Sequence, residues 1–135
     1  MDYFQMNLPM GDINHISVLG LAHIGDGVYE LMNRADLCAR GHNAVRELHA
    51  LTVERVKAPA QARAAERILP SLTEEETAVY RRGRNTRVNS VPQHAELSEY
   101  HAATGLEALF GWLYLQGRTA RLNELFALIA AQWEE

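Results

Sequence analysis

Two acidic residues stand where a helix has no ordinary use for them. Asp26 lies between Gly25 and Gly27 in residues 19–30, where Leu21, Ile24, Val28 and Leu31 fall three or four positions apart on one helical stripe. Glu107 lies in residues 104–115, a strongly apolar run that also holds Gly105 and Gly111. A glycine inside a helix costs roughly 0.5–1 kcal/mol relative to alanine. Glycines beside an embedded acid therefore point to close approach by another helix or a ligand. If the two helices cross there, carboxylates about 4 Å apart repel by roughly 4 kcal/mol at an effective dielectric near 20. Such a pair raises its pKa values or recruits a cation. A divalent metal is one resolution, and a local cap or arginine partner for each acid is the other.

A second chemical feature is basic. Arg81, Arg82, Arg84 and Arg87 place four fixed charges in seven residues, with Asn85 among them. The planar guanidinium fork suits phosphate oxygens, and a cluster at the end of a helix can follow a nucleic-acid backbone. The same residues could instead form a solvated last turn that complements the helix dipole. The density of arginine in a chain whose only lysine is Lys57 favours phosphate binding. The histidines His15, His23, His42, His49, His94 and His101 form neither HExxH nor a bundle-type ExxH pair. His23, one turn before Asp26, is the one placed to matter. No Walker loop, GxGxxG or GxSxG occurs. A helical nucleotide pyrophosphohydrolase would need ExxE with ExxD. Glu96 and Glu99 supply the first, and nothing supplies the second.

The elements that must position these groups all read as helices. Residues 1–11 look like a flexible arm punctuated by Pro9 and Gly11, followed by one domain over 12–135. Asp12 is the cap expected for a helix over about 13–40, closed by Gly41. Asn43 is the expected cap of a second helix that breaks near Lys57, with Pro59 in the first turn of a third that ends before Pro70. Thr73 and Glu76 form a capping box for a fourth helix running to about Arg84. Loop-like composition follows over 83–93. A long helix is expected over about 95–116, stopped by Gly117, and a last one over about 119–133. The fold class is all-α, with about six helices.

Composition narrows the class of partner. At 135 residues the chain suits one core. A net charge of −4 gives no global basic signature, so any nucleic-acid grip is local. The single cysteine, Cys38, excludes an intrachain disulfide and fits a reducing, cytoplasmic setting. No secretory signal is visible, and the longest apolar run is too short for a membrane span.

The tracts Leu21-Ala-His-Ile-Gly-Asp-Gly-Val-Tyr-Glu30 and Thr104-Gly-Leu-Glu-Ala-Leu-Phe-Gly-Trp-Leu-Tyr-Leu115 resemble the ribonuclease III family. With Leu48-His49, Ala58 to Ala62, Leu72-Thr-Glu-Glu-Glu76 and Arg82-Gly-Arg-Asn85, the chain is similar to its short Mini-III form from about Val18 to Leu125. The resemblance implies an all-α endonuclease domain that forms a homodimer, with double-stranded RNA lying across a shared valley. It implies Mg²⁺, with Mn²⁺ able to substitute, held by Asp26 and Glu107 as the catalytic and metal-binding pair, and products with 5′-phosphate and 3′-hydroxyl ends. It further implies maturation of large-subunit ribosomal RNA precursor, with a ribosomal protein as a candidate helper. Two acids of the larger family members are replaced here by Ala22 and Thr104, so two carboxylates carry the site. No separate RNA-binding domain is expected, so Arg81, Arg82, Arg84, Asn85 and Arg87, with Lys57, are expected to grip the duplex. The alternative is a non-catalytic RNA-binding or ribosome-associated module on the same fold, which the loss of two acids would favour.

Overall fold

A computed structural model describes residues 1–86 and 96–134 of the chain. Those residues form the helices α1 (Met10–Ile13), α2 (Val18–Ala39), α3 (Val45–Val56), α4 (Ala58–Ile68), α5 (Glu74–Arg84), α6 (Leu97–Leu115) and α7 (Thr119–Ala130), with no strand among them. Since α1 is a single turn, six substantial helices carry the fold, as the sequence pattern predicts.

The helix α6 is the axis. Ala103 to Leu106, Ala108 to Leu113 and Leu115 are all buried, so it is apolar on every side and sits at the centre of the bundle. The helices α2, α5 and α4 pack around it. Glycines set how close they come. A Cβ on Gly25 would lie 1.6 Å from the carbonyl oxygen of Glu107, and one on Gly111 would lie 2.0 Å from that of Leu21. On the other side, a Cβ on Gly83 would stand 2.8 Å from the Cα of Gly105. Both α2 and α5 thus touch α6 backbone to backbone. Gly27 differs, since a Cβ there meets nothing within 4 Å. Of the two glycines beside Asp26, only Gly25 is required by packing.

The buried line of α2 also departs from the predicted stripe. It runs Leu21, Gly25, Tyr29, Asn33 and Leu37, while Leu31 is 55% exposed. The apolar pattern places the stripe on Leu21, Ile24, Val28 and Leu31; Leu21 lies in the core and Ile24 and Val28 are half-buried against it, so Leu31 is the member that falls outside. The face against α6 is instead selected by the residue small enough to admit it, and Tyr29 fills the space beyond by edge-on contacts with Phe110 and Phe126.

Several ends follow local rules. Gly41 and Gly117 take positive φ, +100° and +74°, where only glycine is unstrained. Pro59 lies in the first turn of α4, after a break at Lys57. Thr73 and Glu76 form the full reciprocal capping box of α5. Two expected caps are corrected. The hydroxyl of Ser17, not the carboxylate of Asp12, caps α2 by accepting from the Gly20 amide, because Asp12 is absorbed into the single turn α1. Ala44, not Asn43, precedes α3, without a side-chain cap.

Glu76 has a second task that its capping role conceals. It is fully buried, and Arg121 of α7 grips it with Nε and Nη2, at 2.9 and 2.8 Å, while Nη2 also donates to the Ser71 carbonyl. The Arg121 guanidinium holds the Glu76 carboxyl below its ordinary range, outweighing the effect of burial. Residues 1–11, expected as an arm, touch the far end of α6: Met6 is buried, and the Leu8 amide donates to the Leu115 carbonyl at 2.9 Å.

The crossing sets an expected contrast. Gly25→Ala drives a Cβ into backbone that cannot yield, and is expected to lower stability by about 3 kcal/mol or more. Gly27→Ala has open space and gains helix propensity, so it is expected to be neutral or stabilising by up to about 1 kcal/mol. Thermal melts of the two variants check this; equal melting would contradict the crossing.

Candidate active site

The crossing of α2 and α6 brings the two embedded acids together. Asp26 directly follows Gly25, the residue pressed against the Glu107 carbonyl. The Asp26 carboxylate acts on Glu107 both through its charge and as a hydrogen-bonding neighbour. Asp26 is exposed and Glu107 half-buried, so the pair opens to solvent at one edge and is backed by protein at the other. Burial, reinforced by the Asp26 charge, raises the Glu107 carboxyl to about 8, and a hydrogen bond from Gln61 opposes this. Among the described residues, neither acid forms an ion pair with arginine or lysine. The local-neutralisation reading of the sequence is therefore not what the fold builds.

Gln61, which the sequence pattern did not single out, completes the floor. It lies on α4 and is 3% exposed. Its Nε2 donates to the Val56 carbonyl at 2.8 Å and to Glu107 Oε2 at 3.3 Å. Its Oε1 is buried and has no hydrogen-bond partner among the described residues. The only signal available in the sequence was one polar residue on the buried face that also holds Ala60, Ala64, Ala65 and Ile68.

This donor set fits a hard cation. The two carboxylates are oxygen ligands of the kind that Mg²⁺, Mn²⁺ and Ca²⁺ take. No group of three or more His, Cys, Asp or Glu with metal-binding geometry occurs among the described residues. A cation here would rely on the two acids and complete its shell with water and substrate oxygens, as Mg²⁺ commonly does. Thr104 is buried and its hydroxyl donates to the Tyr100 carbonyl at 3.1 Å, so its proton is committed to its own helix. Glu30 pairs with Arg34 at 3.3 Å. His23 is exposed on α2, three residues before Asp26.

The basic cluster is distributed as follows. Arg81, Arg82, Arg84 and Asn85 are all exposed at the C-terminal end of α5. Arg84 lies over the Tyr80 ring at 5.9 Å and donates from Nε to Asn85 Oδ1 at 3.3 Å. Arg81 and Arg82 have no acidic partner among the described residues. Lys57, at the α3–α4 break, pairs with Glu54 at 2.8 Å on the surface, a contact worth little in solvent. Arg87 lies outside the described residues. The same Gly83–Gly105 contact that docks α5 on α6 places the cluster's helix two residues from Glu107 along α6.

Comparison with known proteins identifies the family and the fold. The family described as Ribonuclease III domain matches residues 19–118. The chain is 44% identical over 112 residues to the Mini-ribonuclease 3 of Symbiobacterium thermophilum, covering 83% of this chain and 86% of that protein. It is 45% identical over 120 residues to that of a Thermoanaerobacter species, covering 89% and 84%. A crystal structure of a Fusobacterium nucleatum protein superposes with a TM-score of 0.81 at 28% identity, covering 90% of this chain and 97% of that one.

The raised Glu107 carboxyl carries a stability signature. Between the pKa of an unfolded glutamate, about 4.3, and about 8 in the fold, the folded state binds the extra proton, so stability falls as pH rises through that window. Glu107→Gln removes the penalty. In EDTA at pH 8 the variant is expected to exceed the parent by roughly 1–3 kcal/mol, with the gap closing toward pH 5. Thermal melts across that range check it, and a gap independent of pH would contradict it.

Proposed function

This chain belongs to the ribonuclease III family, and from that premise we propose that Asp26 and Glu107 are its catalytic pair for cutting double-stranded RNA. One observation carries the reading: two carboxylates are held together at the surface with no basic side chain among the described residues to neutralise them. An arrangement that costs stability in the free protein is suited to a cationic ligand. Asp26 and Glu107 would hold a divalent ion, with Mg²⁺ the assignment and Mn²⁺ able to replace it. When bound, such an ion lowers the pKa of a water and neutralises charge on a phosphate oxygen.

The chain's own residues do the remaining work. Asp26 is exposed, so an approaching duplex would reach it without rearrangement of the fold. Glu107, backed by protein, defines the inner wall and must release its proton to act as a ligand. Hydrolysis in this reading breaks the P–O3′ bond. The water oxygen joins phosphorus, and a proton passes to the departing 3′ oxygen, leaving 5′-phosphate and 3′-hydroxyl ends.

Arg81, Arg82, Arg84 and Asn85, with Arg87 and Lys57, would contact the RNA backbone. A-form RNA presents phosphates and 2′-hydroxyls across a shallow groove, and its recognition is mainly by shape. An open, exposed site suits so wide a substrate better than a closed cavity. The exposure of Leu19 and Leu31 on α2 and of Leu97 at the start of α6 supports a homodimer that covers apolar surface. Large-subunit ribosomal RNA precursor in the cytoplasm, with a ribosomal protein assisting, is the substrate setting that the family reading carries.

Two measurements test this. Asp26→Asn is expected to abolish Mg²⁺-dependent cutting of a perfect RNA duplex, with a loss of at least about 100-fold, while duplex binding in Ca²⁺ persists. A parent protein that binds duplex but never cuts it would leave the non-catalytic module instead. The double variant Arg81→Ala/Arg82→Ala is expected to weaken duplex binding for every sequence alike and to flatten its salt dependence by about one logarithmic unit of slope per lost phosphate contact. An unchanged slope would remove these residues from the interface.

A further inference from the structure

We propose that Gln61 is a positioning residue that fixes the Glu107 carboxylate for cation binding, a role resting on the assignment of Asp26 and Glu107 as the acid pair. The argument begins with the break between α3 and α4. Lys57 takes an extended conformation, ψ 154°, and thereby ends α3. The last carbonyls of a helix lack intrahelical donors, and the Val56 carbonyl is one of these. The Gln61 side chain turns back to supply the donor at 2.8 Å.

That contact orients the amide. A carbonyl oxygen accepts only from N–H, so the NH₂ end of Gln61 must face Val56, and its oxygen must face elsewhere. The second proton of the same NH₂ group reaches Glu107 Oε2 at 3.3 Å. The donor offered to Glu107 is therefore set by backbone geometry at the helix break and does not depend on where Glu107 points. The Gln61 side chain is itself 97% removed from solvent by the surrounding core, so it has little freedom to swing.

Glu107 has three side-chain torsions and a half-buried setting that would otherwise allow several arrangements beside Asp26. Holding one of its oxygens leaves the other, together with Asp26, to face a cation. Groups that orient metal ligands in this way commonly affect affinity as much as the ligands' own geometry does. In a site reduced to two acids, a fixed orientation of the inner one has correspondingly greater weight.

Gln61→Met keeps the shape and apolar packing of the side chain but removes both the donor and the amide oxygen. Three readouts are taken: melting temperature, the Kd for Mn²⁺ of the RNA-free protein by titration calorimetry, and kcat and KM on a perfect duplex. The expected result is a melting temperature within a few degrees of the parent, a Kd for Mn²⁺ raised by about 10-fold or more, and a fall in kcat with KM unchanged. If Gln61→Met does not fold, Gln61→Asn, which withdraws the amide by one methylene, is expected to give the same split. A folded variant with Mn²⁺ affinity and kcat within about twofold of the parent overturns the proposal. Asp26→Asn and Glu107→Gln run alongside: if those variants bind Mn²⁺ and cut like the parent, the acid-pair assignment itself fails, a result distinct from failure of the Gln61 role alone.

Discussion

The contact between Gly25 and the Glu107 carbonyl is the constraint from which the rest of the molecule follows. Two helices can meet at backbone distance only where both lack side chains, and α2 and α6 do so at Gly25 and Gly111. That approach lets α6 serve as the apolar axis of the bundle, and it leaves no room to separate the acids borne on either side of the crossing. The proximity of Asp26 and Glu107 is thus a consequence of packing. The repulsion between them is accepted because the same crossing supplies much of the core, including Leu21, Tyr29, Leu109, Phe110 and Leu113.

The electrostatic character of the site depends on an asymmetry across that contact. One acid faces water and the other is backed by protein. Burial acts on Glu107 first and the Asp26 charge second, so the inner acid is the one whose ionisation is suppressed. A uniformly buried pair would tend to hold a shared proton and stay inert. A uniformly exposed pair would ionise freely and attract cations weakly. The arrangement found lies between these, and it leaves a polar edge open to a large ligand.

Much of this was legible from local rules. Gly41, Pro59, Thr73 with Glu76, and Gly117 each act within a few residues of themselves, so the sequence reports their roles directly. The embedding of Asp26 and Glu107 among glycines pointed to a close crossing for the same reason. What escaped prediction depends on partners distant in the chain. The stripe on α2 held for Leu21, Ile24 and Val28 but failed at Leu31, because apolar residues mark what can be buried, whereas α6 selected the face that was small enough. Glu76 read as a cap, and its pairing with Arg121, 45 positions later, had no local trace. Gln61 was invisible because its meaning comes from a helix break on one side and Glu107, 46 positions away, on the other.

The two attachments of α5 have a mechanical consequence. At one end the Arg121 fork clasps Glu76 in the interior, and at the other Gly83 rests on Gly105. A rod pinned near both ends resists pivoting and sliding, so the guanidinium groups of Arg81, Arg82 and Arg84, which flank Gly83, inherit a set bearing relative to α6. Any polyanion seated along that edge would meet the acid pair at a spacing determined by the protein's framework, much as a workpiece held in a jig is cut at a set distance from its stop.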